Sequence, residues 1–184
     1  MTVLFAGLVL FIGIHLLPAF PPLRAPLAAR LGENGYKILF SVISIVGLVL
    51  IAVGYGRAPH PQIFTPSQTA RLLLPVAMAI AFILVAVANM PGRIRRLVRH
   101  PMLIGVLIWA SLHLLANGDL ASNVLFSAFA LWAVFAILSA ERRNKRLGSG
   151  PGSPKADLIG AVIGLVVFAI IFYFHADLFG VSPV

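Results

Sequence analysis

Ile38–Tyr55 reads ILFSVISIVGLVLIAVGY, eighteen residues without one charged side chain. A helix rises about 1.5 Å per residue, so this run covers roughly 27 Å, close to the ~30 Å apolar layer of a bilayer. The run is continuous rather than alternating, which favours a helix over a barrel strand. Five further apolar runs flank it: Thr2–Phe20, Leu72–Met90, Met102–Ala116, Asn123–Ala140 and Leu158–Phe174. Met102–Ala116 is the shortest and is expected to borrow Arg99 and His100 or to tilt little. Of the 184 residues 60% are hydrophobic and 10% charged. A soluble domain carries about 25% charged residues and needs them to cover its surface. The expected fold class is therefore all-α: one polytopic membrane domain over 1–184, with about six transmembrane helices.

Charge placement orients these spans. The formal net charge is +9, yet the basic residues sit in short loops between apolar runs, an arrangement that argues for a membrane protein and against nucleic acid. Alternate loops put Arg24, Arg30 and Lys37, then Arg93, Arg95, Arg96 and Arg99, then Arg142, Arg143, Lys145, Arg146 and Lys155 on one side. Only Arg57 and Arg71 fall on the other. Basic bias in short loops marks the cytoplasmic face, so both termini are expected outside. Met1-Thr2-Val3 lacks the basic n-region of a signal peptide, and the first run is expected to stay as a helix.

Local punctuation adds detail. Pro18, Pro21 and Pro22 are expected to end the first helix, and Asn117-Gly118-Asp119 to form a tight outer hairpin. Residues 147–154, LGSGPGSP, read as a flexible cytoplasmic linker before a semi-detached last helix. Gly160 and Gly164 give a G-x-x-x-G spacing, which serves either close packing inside the chain or a homodimer.

Chemistry is limited by what the chain lacks. There is no cysteine, which excludes disulfides, iron–sulfur clusters and thiolate zinc sites. Of the five histidines, His60, His100 and His175 fall at loop or interface positions. His15 and His113 lie within apolar spans, where an ionisable side chain suggests a functional site. Gly105, Trp109 and His113 recur at i, i+4 and i+8 and are read as one face. A ligand, a flat aromatic and a gap on one face suit a large planar cofactor. Neutral imidazoles on two helices, without thiol or nearby carboxylate, suit haem better than zinc or a di-iron centre. The alternative is two neutral histidines hydrogen-bonded to neighbouring helices. Depth is an obstacle to a shared iron, because His15 is about five residues and His113 about eleven from their cytoplasmic helix ends. A shared iron needs the first helix to run past Pro18, or the fourth to begin inside the Arg99 region.

The chain resembles the NnrU-domain family of membrane proteins. The resemblance is carried by His15 with Leu23-Arg24 and by Arg99-His100-Pro101-Met102-Leu103-Ile104-Gly105, continuing to Trp109, His113, Asn117 and Gly118. It extends to the closing His175-x-x-Leu178-Phe179-Gly180-Val181-Ser182-Pro183. The family's bacterial members are associated with denitrification and nitric oxide metabolism in the inner membrane. The related plant 15-cis-zeta-carotene isomerases are haem b enzymes acting on a polyene. This resemblance implies haem b held by His15 and His113 as metal ligands, beside Trp109 and Gly105. The propionates would then pair with Arg24, Arg99 or another basic residue. It also implies a small hydrophobic substrate or nitric oxide. The isomerases carry a cysteine three residues before the second histidine, where this chain has Ala110. That removes a redox-linked alternate ligand.

Arg99-His100-Pro101 also looks like the motif of isoprenylcysteine-type membrane methyltransferases, which bind S-adenosylmethionine with an acidic pair at a later helix end. Glu141 is suitably placed, but Arg142 replaces the second acid. Four arginines from Arg93 to Arg99 also suit an anionic leaflet. A third function class is a non-catalytic haem sensor or assembly factor.

Overall fold

The structure, a computed structural model, describes residues 1–143 and 152–180. Its elements among the described residues are helices, with α1 at Thr2–Leu16, α2 at Pro21–Gly56, α3 at Gln68–Val87 and a short α4 at Ile94–Leu97. Next come α5 at Pro101–Asn117, α6 at Leu120–Arg142, α7 at Pro154–Tyr173 and a short α8 at His175–Phe179. Among the described residues five helices are long and apolar enough to cross a membrane, and α5 is a shorter apolar helix. Large apolar side chains face outward at Leu72, Val9 and Leu131, each about 70% exposed. Such a surface is the expected one where lipid, not water, covers it.

The ends follow local rules. Pro21, Pro101 and Pro154 open their helices, where a missing N–H costs nothing. Ser67 caps α3 through Ala70 N at 3.2 Å, and Asp119 caps α6 through Ser122 N at 2.9 Å. Gly118 takes the left-handed conformation that ends α5, with φ 76°, as the expected tight hairpin requires.

Packing makes two linked groups. α1 lies mainly on α2, while α3 packs on both α5 and α7, and α5 on α6. The α1–α2 crossing is close because a side chain at Gly7 would meet Ile51 N at 2.6 Å, and one at Gly47 would meet Phe11 N at 2.8 Å. Leu4, Leu8, Ile51, Ala110, Leu125 and Phe126 belong to one buried cluster that ties the groups together.

Three expectations change. The first helix ends at Leu16, followed by a 3-10 turn at Leu17–Ala19, and Pro21 and Pro22 then start α2 rather than a loop. α2 accordingly begins far ahead of Ile38 and bends at Gly32, whose φ of 71° only glycine adopts without strain. The last helix is not semi-detached. Gly160 and Gly164 are buried on α3, and a side chain at Gly164 would meet Ile83 Cα at 2.6 Å. The G-x-x-x-G spacing thus serves close packing inside the chain, the first of the two readings of it.

α7 is fastened at its start as well. Asp157 accepts hydrogen bonds from Arg93 N at 2.8 Å and Ile94 N at 3.1 Å, and Ser153 N donates to Pro91 O at 3.0 Å. Most of the expected 147–154 linker lies outside the described residues. Its last residues, Gly152 to Pro154, serve this attachment.

Candidate functional site

His15 stands one residue before the end of α1, and its Nδ1 meets Phe11 O at 2.7 Å. His113, one turn before the end of α5, repeats the pattern with Trp109 O at 2.9 Å. A carbonyl can only accept, so Nδ1 carries the proton in both rings and Nε2 holds the lone pair. Histidine ligands of metals are commonly oriented by this kind of hydrogen bond. Among the described residues no protein partner meets either Nε2.

The two rings do not share a site. His15 packs edge-on to Trp132, while His113 lies 4.9 Å from Phe126. These contacts are six residues apart on α6, roughly 9 Å of helix rise. Between them runs a row of rings: Phe11 on His15 at 4.2 Å, Phe129 on Phe11 at 5.5 Å and Trp109 on Phe129 at 5.3 Å. Neither route to equal depth is taken, since α1 stops at Leu16 and α5 starts at Pro101.

The single face read through Gly105, Trp109 and His113 divides as well. Each i+4 step turns about 40° around the helix, so Gly105 and His113 differ by ~80°. Gly105 faces α3, where a side chain would meet Ala81 O at 2.8 Å. Trp109 and His113 turn towards Phe126 on α6. The gap at Gly105 is filled by a neighbouring helix. Ala110 is fully buried in the core.

His15 instead opens on a cleft of about 330 Å³ at the basic end of the bundle. Small-molecule pockets begin at about this size. Leu16 and Pro18, Met102 and Leu103, and Trp132 and Phe135 give it an apolar wall, and His100 and Arg143 join His15 as its polar groups. The buried Trp132 Nε1–H has no partner among the described residues. Arg143 Nη1 donates to Ala19 O at 3.2 Å and to Ser139 Oγ.

The expected cation partners of a cofactor are engaged elsewhere. Arg24 pairs with Glu33 at 3.0 Å and lies over the Tyr36 ring. Arg99 pairs with Glu141 at 2.6 Å, and the same carboxylate accepts His100 Nε2–H at 2.7 Å. Neither Arg24 nor Arg99 lines the cleft. Arg143 and Trp132 were the residues that sequence reasoning passed over. Trp132 had a signal, being one of two tryptophans in the chain, whereas the contact of Arg143 with Ala19 spans 124 residues.

A separate polar cluster closes the opposite end. His60 Nδ1 meets Asp119 Oδ1 at 2.8 Å, His60 Nε2 meets Tyr55 O at 3.1 Å, and Tyr55 and Ser122 hydroxyls meet at 2.8 Å. Burial pushes the Asp119 carboxyl up, but hydrogen bonds from Ser122 and His60 outweigh it and hold the group below its ordinary value. His175 opens α8 and lies within electrostatic range of His113.

One imidazole with its Nδ1 fixed, an apolar wall and the Arg143 guanidinium fit a haem that His15 would hold. A His15–His113 pair on one iron does not fit while the Phe11, Phe129 and Trp109 rings stand between them. Among the described residues no group of three or more His, Cys, Asp or Glu could hold a metal ion. A family model described as NnrU protein matches residues 3–183. No curated protein and no solved structure matches the chain.

Proposed function

The chain belongs to the NnrU family, and from that membership we propose that it is an inner-membrane haem b protein in which His15 would hold the iron. The observation that carries the proposal is the His15 imidazole on the cleft wall, its Nδ1 tied to Phe11 O and its Nε2 without a protein partner among the described residues. The resemblance to haem-binding isomerases supplies the identity of the cofactor. When bound, haem would supply redox and small-gas chemistry. The chain's own part is to fix the His15 tautomer, keep water from the apolar wall and present cations at the cytoplasmic rim.

Nitric oxide is favoured over a polyene as the molecule acted upon. Ala110 occupies the position of the isomerases' alternate ligand, and it is sealed in the core. A role as haem sensor uses the same site. Protein purified after growth with a haem precursor is expected to show a Soret band that His15→Ala removes. A colourless parent, or a His15→Ala variant with the parental spectrum, overturns the proposal.

A further inference from the structure

We propose that the cleft is a binding site for an apolar molecule bearing a carboxylate, held at the basic rim by Arg143 and His100. Both residues line the cleft, and each is oriented by protein contacts that leave part of it unused. Arg143 spends Nη1 on Ala19 O and Ser139 Oγ. Its Nε and Nη2 have no partner among the described residues, so one edge of the guanidinium fork remains for a planar acid. The His100 side chain is 9% exposed and directs Nε2 to Glu141, leaving Nδ1 without a protein partner among the described residues. An imidazolium can donate from both nitrogens, so this ring is placed to bridge Glu141 and a ligand acid.

The rest of the lining is apolar at Leu16, Met102 and Phe135, beside the Trp132 Nε1–H, which has no partner among the described residues. A charged head with an apolar body matches this lining. A free headgroup or inorganic anion leaves the wall uncovered, and a neutral hydrocarbon leaves Arg143 and His100 unused. Haem propionates and a fatty acid share this chemistry. With haem as occupant the inference deepens the function proposed above, replacing Arg24 and Arg99 as the carboxylate partners. With a fatty acid it stands independently.

The test uses full-length protein in neutral phosphatidylcholine nanodiscs. cis-Parinaric acid and its methyl ester are titrated by fluorescence, and haemin and its dimethyl ester by absorbance. At least one acid is expected to bind about tenfold or more tightly than its ester, since the ester loses a charge-assisted bond. Arg143→Gln should abolish that preference, Arg143→Lys should keep part of it, and His100→Asn should reduce it. Arg24→Gln should leave it intact. Equal binding of acids and esters, no binding of either acid, or a preference that survives both Arg143→Gln and His100→Asn overturns the site. Preference for parinaric acid without haemin binding keeps this site and removes the haem proposal. Haemin binding that depends on His15, with neither acid preferred over its ester, does the reverse.

Discussion

The His100 imidazole at the start of α5 donates Nε2–H to Glu141 near the end of α6, at 2.7 Å. Arg99 holds the other oxygen of the same carboxylate at 2.6 Å. The acid that a methyltransferase-like site would need is therefore already taken by its neighbours, and Arg142 follows where a second acid would stand. Calorimetry with S-adenosylmethionine is expected to show no binding in detergent or nanodiscs. A saturable isotherm that Glu141→Ala removes would restore the methyltransferase reading.

His113 is the discriminating residue for the iron. With His15 alone as protein ligand, His113→Ala should retain the haem and its Soret intensity, whereas His15→Ala should lose both. The absorption spectra of the two purified variants decide the matter. Loss of haem from both would mean that the Phe11, Phe129 and Trp109 rings part to bring the histidines onto one metal.

At the opposite end, Asp119 combines a helix cap with its contact to His60. Its folded carboxyl titrates below the ordinary value of about 4. The stability it contributes is present above that ordinary value and is lost as pH falls through the lower folded one. Asp119→Ala should cost about 1 kcal/mol at neutral pH, a typical cap loss. Thermal melts from pH 7 down to 3 should bring the parent towards the variant. Parallel curves over that range would refute the assignment.

Gly164 is the tightest point of the α3–α7 contact, because a side chain there meets Ile83 backbone atoms that cannot move aside. Gly164→Val should therefore destabilise by about 1–3 kcal/mol and lower the melting midpoint. Val162→Ala, on a half-exposed position of the same helix, should change it little. Equal midpoints for the two variants would show that α7 does not rely on this approach.

The spans were legible because long uncharged runs leave few alternatives in length or type, as Ile38–Tyr55 shows. What surrounded them was less so. Pro21 and Pro22 carry the same signal for ending a helix as for starting one, and only the turn at Leu17–Ala19 decides between the two. Gly105, Trp109 and His113 looked aligned because four-residue steps nearly repeat the helix period. Two such steps accumulate enough rotation to reach different neighbours. Within the cleft, His15 was readable as an isolated imidazole in an apolar run. Arg143 was not, since one arginine in a basic loop resembles the next until the fold brings it to Ala19.

The attachment of α7 to α3 bears on the order in which the protein is made. α3 emerges from the ribosome well before α7, yet the small-residue contact that covers its Ile83 and Val87 belongs to α7. Throughout synthesis of α5 and α6 that flank of α3 therefore lacks the cover it has in the finished fold. Arrival of Asp157 beside Arg93 and Ile94 then fixes the register in which the last helix lies down. The chain's own final helix thus acts as the late subunit of an assembly whose other members are already in the bilayer.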